Sequence, residues 1–361
     1  MSEAQTLAER LRERGISRRA FMKYTSYLAS AMALSPLASQ AMAETLAKAR
    51  RQSVIWLSFQ ECTGCTESIT RSFSPTLEDL IFDFISLDYQ ETLMDVSGFA
   101  AEAARKSAMK ENKGKYILVC EGSVPLQDGG VYSTSAGETN VAMLKEAAAD
   151  ALAIIAVGSC ATFGGIPAAK PNPTGAVGID QIITDKPIIN VSGCPPIAEV
   201  MTGTISYILS FGKLPDLDHL NRPKAFYGNT IHDRCYRRPF YERGKFAKTF
   251  DDAGARKGWC LFEVGCKGPV TYNACATTKW NGGITFPIQS GHGCLGCSEP
   301  EFWDKGGFYN PLPTPTAEGI GKAAAIAAGA GAVAGVAGAT IMRARRARAR
   351  KAAAADTPKE G

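Results

Sequence analysis

The 361-residue chain has no cysteine before Cys62 or after Cys297, no internal repeat, and no excess of basic charge in its body. Its formal charge of +5 sits at the two ends. Residues 1–43 carry six Lys/Arg against three Glu, and residues 343–361 carry seven against Asp356 and Glu360, which leaves the body at −3. A mildly acidic body speaks against nucleic-acid binding, which needs positive charge on the folded surface. Apolar residues are not lacking: 45% apolar against 21% charged excludes wholesale disorder and allows a core that needs no staples. Eleven cysteines, an odd set with short spacings, point away from a plain disulfide framework and toward metal or clusters with one thiol left over.

The ends read as addresses. Ser17-Arg18-Arg19-Ala20-Phe21-Met22-Lys23 precedes an apolar stretch from Tyr24 to Leu37 and then Ala41-Met42-Ala43. A positive region, an apolar region and a small-x-small site, with twin arginines at the junction, predict a twin-arginine signal peptide over residues 1–43. The alternative is an amphipathic surface helix with a chance Arg pair. That export route carries proteins already folded, so thiols loaded with metal in the cytoplasm can reach the periplasm. At the other end, residues 323–342 run twenty positions without a charge, enough to cross a hydrocarbon layer. The basic tail, 343–361, would stay cytoplasmic and leave the body outside. Ala and Gly dominate this run, and Gly331 and Gly335 offer a small-residue face for a membrane partner. A flexible linker with a basic tail is the competing reading. Pro311, Pro313 and Pro315 would be the spacer.

Between the ends, short apolar runs alternate with Ala/Glu/Lys-rich segments such as 100–110 and 141–150. Residues 54–59, 81–87, 116–120, 153–157 and 188–191 predict strands buried on both faces, hence an α/β fold with a doubly wound parallel sheet over residues 44–222. Residues 223–315 are rich in Gly, Pro and aromatics, have few helical periods and hold six cysteines. Such a segment needs metal or cluster ligation to hold it.

The cysteines fall into groups. Cys62 and Cys65, Cys160, and Cys194 each follow a predicted strand, the first, fourth and fifth, so the sheet should bring four thiols to one edge. Four thiolates suit zinc or an iron–sulfur cubane, and a lone Cys-x-x-Cys would suit a redox pair. His232, Cys235, Cys260 and Cys266 form a second set that could hold zinc or a cluster. Cys275, Cys294 and Cys297 form a third with no fourth thiol, Pro287 standing where another ligand would be expected. A cubane corner without a ligand tends to lose its iron, so a three-iron cluster explains this set better than zinc. Cys120 ends the third strand and reads as a small buried hydrophobe.

The chain resembles the small subunit of a membrane-associated periplasmic nickel–iron hydrogenase of the uptake type. The resemblance rests on the twin arginines, Glu61-Cys62-Thr63-Gly64-Cys65-Thr66-Glu67-Ser68, Glu121-Gly122-Ser123-Val124-Pro125, Gly158-Ser159-Cys160, Pro171-Asn172-Pro173-Thr174, Gly193-Cys194-Pro195-Pro196, His232-x-x-Cys235, Lys279-Trp280-Asn281 and Gly291-His292-Gly293-Cys294-Leu295-Gly296-Cys297. It implies a flavodoxin-like domain followed by an irregular iron–sulfur domain. It also implies a proximal [4Fe-4S] cluster on Cys62, Cys65, Cys160 and Cys194, a distal [4Fe-4S] cluster on His232, Cys235, Cys260 and Cys266, and a medial [3Fe-4S] cluster on Cys275, Cys294 and Cys297. The nickel–iron centre would lie on a separate large subunit, because this chain has no closely spaced cysteine pairs to spare for it. A membrane cytochrome b or quinone-linked protein would take the electrons. Oxygen-tolerant members carry two extra cysteines where this chain has Gly64 and Gly165, which implies an oxygen-sensitive enzyme. Glu61 and Glu67 read as capping or interface carboxylates, with a proton path as the alternative. The competing functions are a quinone-oxidoreductase cluster subunit, which would explain only the first cysteine set, an exported zinc- or disulfide-stabilised binding protein, and a cytoplasmic hydrogen sensor.

Overall fold

The computed structural model describes residues 5–48 and 51–313. The membrane-anchor expectation for 323–342 and the basic tail lie outside them. Among the described residues no helix is long and apolar enough to cross a membrane.

Five parallel strands form the central sheet: β1 (Gln52–Ser58), β2 (Ile85–Gln90), β3 (Ile117–Glu121), β4 (Ala153–Val157) and β5 (Ile188–Val191). They lie in the order β2-β1-β3-β4-β5, the arrangement of flavodoxin-like sheets. Alternate side chains build two cores. Val54, Trp56, Ile117, Val119, Ile155, Val157, Ile189 and Val191 face the helices Gly64–Thr70 and Ala198–Phe211. Ile55, Leu57, Leu118, Cys120, Ile154 and Ala156 face Gly98–Glu111 and Asn140–Ala149. Burial on both faces is why these strands read as unbroken apolar runs. Cys120 is fully buried in the second core, and burial alone pushes its thiol far up, as befits an inert hydrophobe.

Two expectations need correction. Only 85–87 of the run 81–87 is strand, and β2 continues to Gln90. Thr76 and Asp79 form a capping box that starts a helical turn, and Leu80–Phe84 continues it as a π-turn that leaves Phe82 exposed. A short apolar run does not by itself distinguish strand from helix. The apolar stretch 24–37 is likewise not continuous. Helix Arg18–Ala31, capped by Ser17, ends before a turn, and a second helix, Pro36–Lys48, follows.

The N-terminal helices pack on the body. Leu28, Met42 and Leu46 are buried against the core that includes Met201 and Ile205, and Tyr24 hydrogen-bonds Ser206 at 3.0 Å. Arg14 reaches Asp83 at 2.5 Å and Glu78 at 2.6 Å. Arg18 and Arg19 remain exposed on the first turn of their helix.

Among the described residues from 222 to 313 the chain has only short helical turns and isolated bridges. Arg222 itself is fully buried and joins this half to the sheet half. Its guanidinium donates to Asp218 at 2.8 Å and to Glu299 and the Ser298 carbonyl at 3.0 Å, and it lies against the rings of Tyr227 and Tyr272. Tyr227 in turn donates to the Ser192 carbonyl at 2.7 Å, two residues before Cys194. The chain to Leu312 forms one compact unit.

Candidate metal centres

The first cysteine set assembles at the carboxyl ends of three strands. Cys62 and Cys65 follow β1, with Cys65 in the first turn of helix Gly64–Thr70. Cys160 lies in the turn Gly158–Phe163 directly after β4, and Cys194 follows β5. Cys65 Sγ lies 3.8 Å from the Val157 carbonyl at the end of β4, and the Ser159 amide donates to the Gly193 carbonyl at 2.7 Å, so the Cys65, Cys160 and Cys194 loops surround one space. Glycines line that space. A Cβ on Gly158 (φ +87°) would stand 2.4 Å from Cys65 Sγ, one on Gly165 (φ +56°) 2.6 Å from Cys160 Sγ, and one on Gly64 3.1 Å from Cys62 Sγ.

Glu121, at the end of β3, anchors the set from beneath. It is 1% exposed. One carboxylate oxygen accepts the amides of Cys65 at 2.9 Å and Thr66 at 3.2 Å. The other accepts Trp56 Nε1–H at 3.1 Å and the Thr66 hydroxyl at 2.5 Å, and Gln90 donates to that hydroxyl at 2.9 Å. The carboxylate thus takes the donors that a helix start leaves unpaired and fixes the Cys65 loop. Ser68 ties the same helix to the Cys194 loop by donating to the Pro196 carbonyl at 2.6 Å. Glu61 is half-buried, and burial followed by the charge of Glu121 pushes its carboxyl up to about 7. Glu67 is exposed and pairs with Arg71.

The second set lies in turns of the irregular half. His232 opens the turn His232–Arg234 and packs edge-on against Tyr241. Burial, and then Arg238, hold its ring below the ordinary histidine value, in the neutral form that ligates metal. Cys235, Cys260 and Cys266 repel one another across a shared space, and a Cβ on Gly268 would lie 3.4 Å from Cys266 Sγ and 3.8 Å from the His232 nitrogen of the main chain. In the third set, Cys275 and Cys294 both feel Cys297. Pro287 is exposed between buried Phe286 and Ile288 and supplies no donor.

This donor chemistry fits iron–sulfur clusters. Burial, then neighbouring sulfurs, push Cys194 and Cys275 up to about 12, while burial brings Cys160 and Cys260 to about 11. Thiols so placed are poor thiolates until a cation offsets their charge. Among the described residues no three or more His, Cys, Asp or Glu side chains are placed to hold a single ion. Four cysteines, or three cysteines and a histidine, are donor sets that iron–sulfur clusters accept.

The fold and these centres define an iron–sulfur electron-transfer protein. Residues 62–208 match the family described as NADH ubiquinone oxidoreductase, 20 Kd subunit, and residues 227–310 match the C-terminal family of the NiFe/NiFeSe hydrogenase small subunit. The uptake hydrogenase small subunit of Azotobacter vinelandii is 52% identical over 322 residues, 89% of this chain and 90% of that one. The hydrogenase-1 small chain of Citrobacter freundii is 50% identical over 306 residues, 85% of this chain and 82% of that one. Among solved structures, the Dm. baculatum [NiFeSe]-hydrogenase superposes with a TM-score of 0.69 at 34% identity, covering 73% of this chain and 100% of that chain. The actinobacterial-type NiFe-hydrogenase from Ralstonia eutropha H16 gives 0.67 at 26% identity, covering 86% and 92%. The chain belongs to the uptake hydrogenase small subunits, the electron-transfer half of a NiFe hydrogenase whose catalytic site lies on a large subunit.

Glu121, Ser159 and Arg222 were not assigned roles by spacing. Glu121 and Ser159 stand inside motifs, but only the fold shows that their polar atoms point at cysteine loops. Replacing Glu121 with Ala leaves the Cys65 and Thr66 amides and the Trp56 N–H without an acceptor, at about 1–3 kcal/mol for each buried donor. Glu121→Ala should therefore lose iron from the first set while keeping the others, and Glu121→Gln should lose less. Iron content per purified chain checks this, and a full complement in Glu121→Ala contradicts it.

Proposed function

We propose that this subunit holds three clusters in series: [4Fe-4S] on Cys62, Cys65, Cys160 and Cys194, [3Fe-4S] on Cys275, Cys294 and Cys297, and [4Fe-4S] on His232, Cys235, Cys260 and Cys266. The observation that carries the order is that the third set touches both others: the Cys294 amide donates to Cys266 Sγ at 3.3 Å, and the hydroxyl of Ser159, beside Cys160, donates to the Cys297 carbonyl. Bound clusters would supply one-electron carriers; the chain's residues hold them, exclude water and direct amides at their sulfurs. Cys62 is exposed, so the first set lies at an edge of this chain that the large subunit would cover. Purified protein should contain about eleven irons, matching sulfide and a three-iron paramagnetic signal when oxidised. A colourless, iron-free or zinc-loaded preparation overturns this assignment and favours the exported binding protein.

The addresses belong to the same proposal. Residues 1–43 act as a twin-arginine signal, cut after Ala43, and the body works in the periplasm. Met42 and Ala43 are buried within helix Pro36–Lys48, so cutting there requires that helix to open. Residues 323–342 anchor the protein in the inner membrane beside a cytochrome b or quinone-linked acceptor. Deleting residues 320–361 should move hydrogenase activity from membranes to the soluble fraction. Activity that stays with the membranes removes the anchor from the proposal.

Gly64 and Gly165 give the first set no sulfur beyond its four ligands, although a side chain at either position would point among them. The first cluster is then an ordinary cubane, and hydrogen oxidation by the purified heterodimer should stop in air. Sustained turnover in air, with two successive one-electron oxidations at this cluster, contradicts the expectation.

A further inference from the structure

The three cysteine sets meet at two junctions that are built alike. Between the third and second sets, the Cys294 amide donates to Cys266 Sγ at 3.3 Å, and the Lys267 amide donates to the Cys294 carbonyl at 2.8 Å. One ligand's main chain is thereby gripped twice: its N–H goes to the neighbouring set's sulfur, and its C=O is held by the residue beside that sulfur. Between the first and third sets, a residue beside one ligand again holds the main chain of a ligand in the neighbouring set. Here the Cys297 carbonyl is taken by a side chain, the Ser159 hydroxyl. That hydroxyl also accepts the Gly193 amide at 3.1 Å, and the Ser159 amide donates to the Gly193 carbonyl at 2.7 Å. Ser159 is 2% exposed. Since Ser159 precedes Cys160 and Gly193 precedes Cys194, one hydroxyl fastens two loops of the first set to a ligand of the third.

We propose that Ser159 is a positioning residue for electron transfer between the first and third sets. Its hydroxyl donates to the Cys297 carbonyl, giving a path of covalent bonds and one hydrogen bond from Cys160 to Cys297. The inference rests on the cluster assignment above. An electron crossing the junction oxidises the first side by one unit and reduces the third by one, with no bond broken and no proton moved. A hydroxyl dipole whose proton points at the main chain of a ligand also favours the more negative, reduced state of that set. Loosening this contact therefore slows the transfer and lowers the potential of the third set together.

The test uses the purified heterodimer carrying Ser159→Ala or Ser159→Thr. We expect Ser159→Ala to keep the wild-type iron content. The midpoint of its three-iron signal should shift downward in a redox titration, and that signal should be lost severalfold more slowly after mixing with hydrogen. Exchange of H2 with D2O should be unchanged, because splitting and re-forming hydrogen on the large subunit needs no electron to leave. Ser159→Thr keeps the hydroxyl and should restore midpoint and rate. An Ala variant with full iron and both readouts unchanged overturns the proposal. So does an Ala variant that loses iron, since Ser159 is then a clamp for ligand loops alone. Absence of iron or of the three-iron signal in the wild-type protein refutes the cluster assignment itself, which separates that failure from a failure at Ser159.

Discussion

A thiolate taken out of water is costly, and this chain withdraws nine of the ten sulfurs in its three sets, all but Cys62, wholly or partly from solvent. Burial is the leading cause of the upward shift at Cys65, Cys160, Cys194, Cys260, Cys275 and Cys294, with neighbouring sulfurs adding to it. Without metal these positions favour neutral thiols, which make no bonds strong enough to organise turns. With iron the same sulfurs become the fixed points of the fold. The sheet half could form from its apolar faces alone. The half after Arg222 has no comparable framework, so its order depends on its ligands and on the buried Arg222 contacts with Asp218, Ser298 and Glu299. Breaking such a buried charge network by removing one partner typically costs about 3–5 kcal/mol.

The parallel sheet solves a problem of sequence distance. Cys62 and Cys194 are far apart in the chain, yet each stands one loop beyond a strand end, and the strand order sets β1 and β3 at the centre. Glu121 lies at the end of β3, next to the point where the strand order reverses, which is where open α/β sheets place their ligands. Its carboxylate does from below what a phosphate does in nucleotide-binding relatives of this architecture: it collects the amides at a helix start.

Much of this was legible in the residues. Runs such as Ile154-Ile155-Ala156-Val157, alternating with helical segments, read as strands buried on two faces, and that predicted both the sheet and the convergence of the first set. The run from Ile81 was misleading because apolar content carries no period over so few residues, and the Thr76–Asp79 capping box decided the local structure instead. The leader's apolar residues gave composition but not the break at 32–35 that divides it into two helices. Ser159 and Glu121 were visible as letters in motifs. Their roles depend on hydrogen bonds spanning 138 and 56 positions, which no local pattern encodes.

The irregularity of the second half also has a physical reason. An amide that donates to sulfur is unavailable to a helix or strand ladder. The amides of Arg237, Cys294 and Gly296 all donate to cysteine sulfurs of these sets. In a continuous helix each would bond a carbonyl four residues back, and the sulfurs would lose the dipoles that stabilise their charge. The spacing Cys294-x-x-Cys297 adds a second demand, because these two residues of one set must face different neighbours, Cys266 on one side and Ser159, beside Cys160, on the other. Short turns separated by glycines, with Gly296 at φ +81°, turn the chain sharply enough to do both. The lack of periodic structure among the described residues from 223 to 313 is therefore what a segment must look like when its main-chain donors serve sulfur rather than carbonyl oxygen.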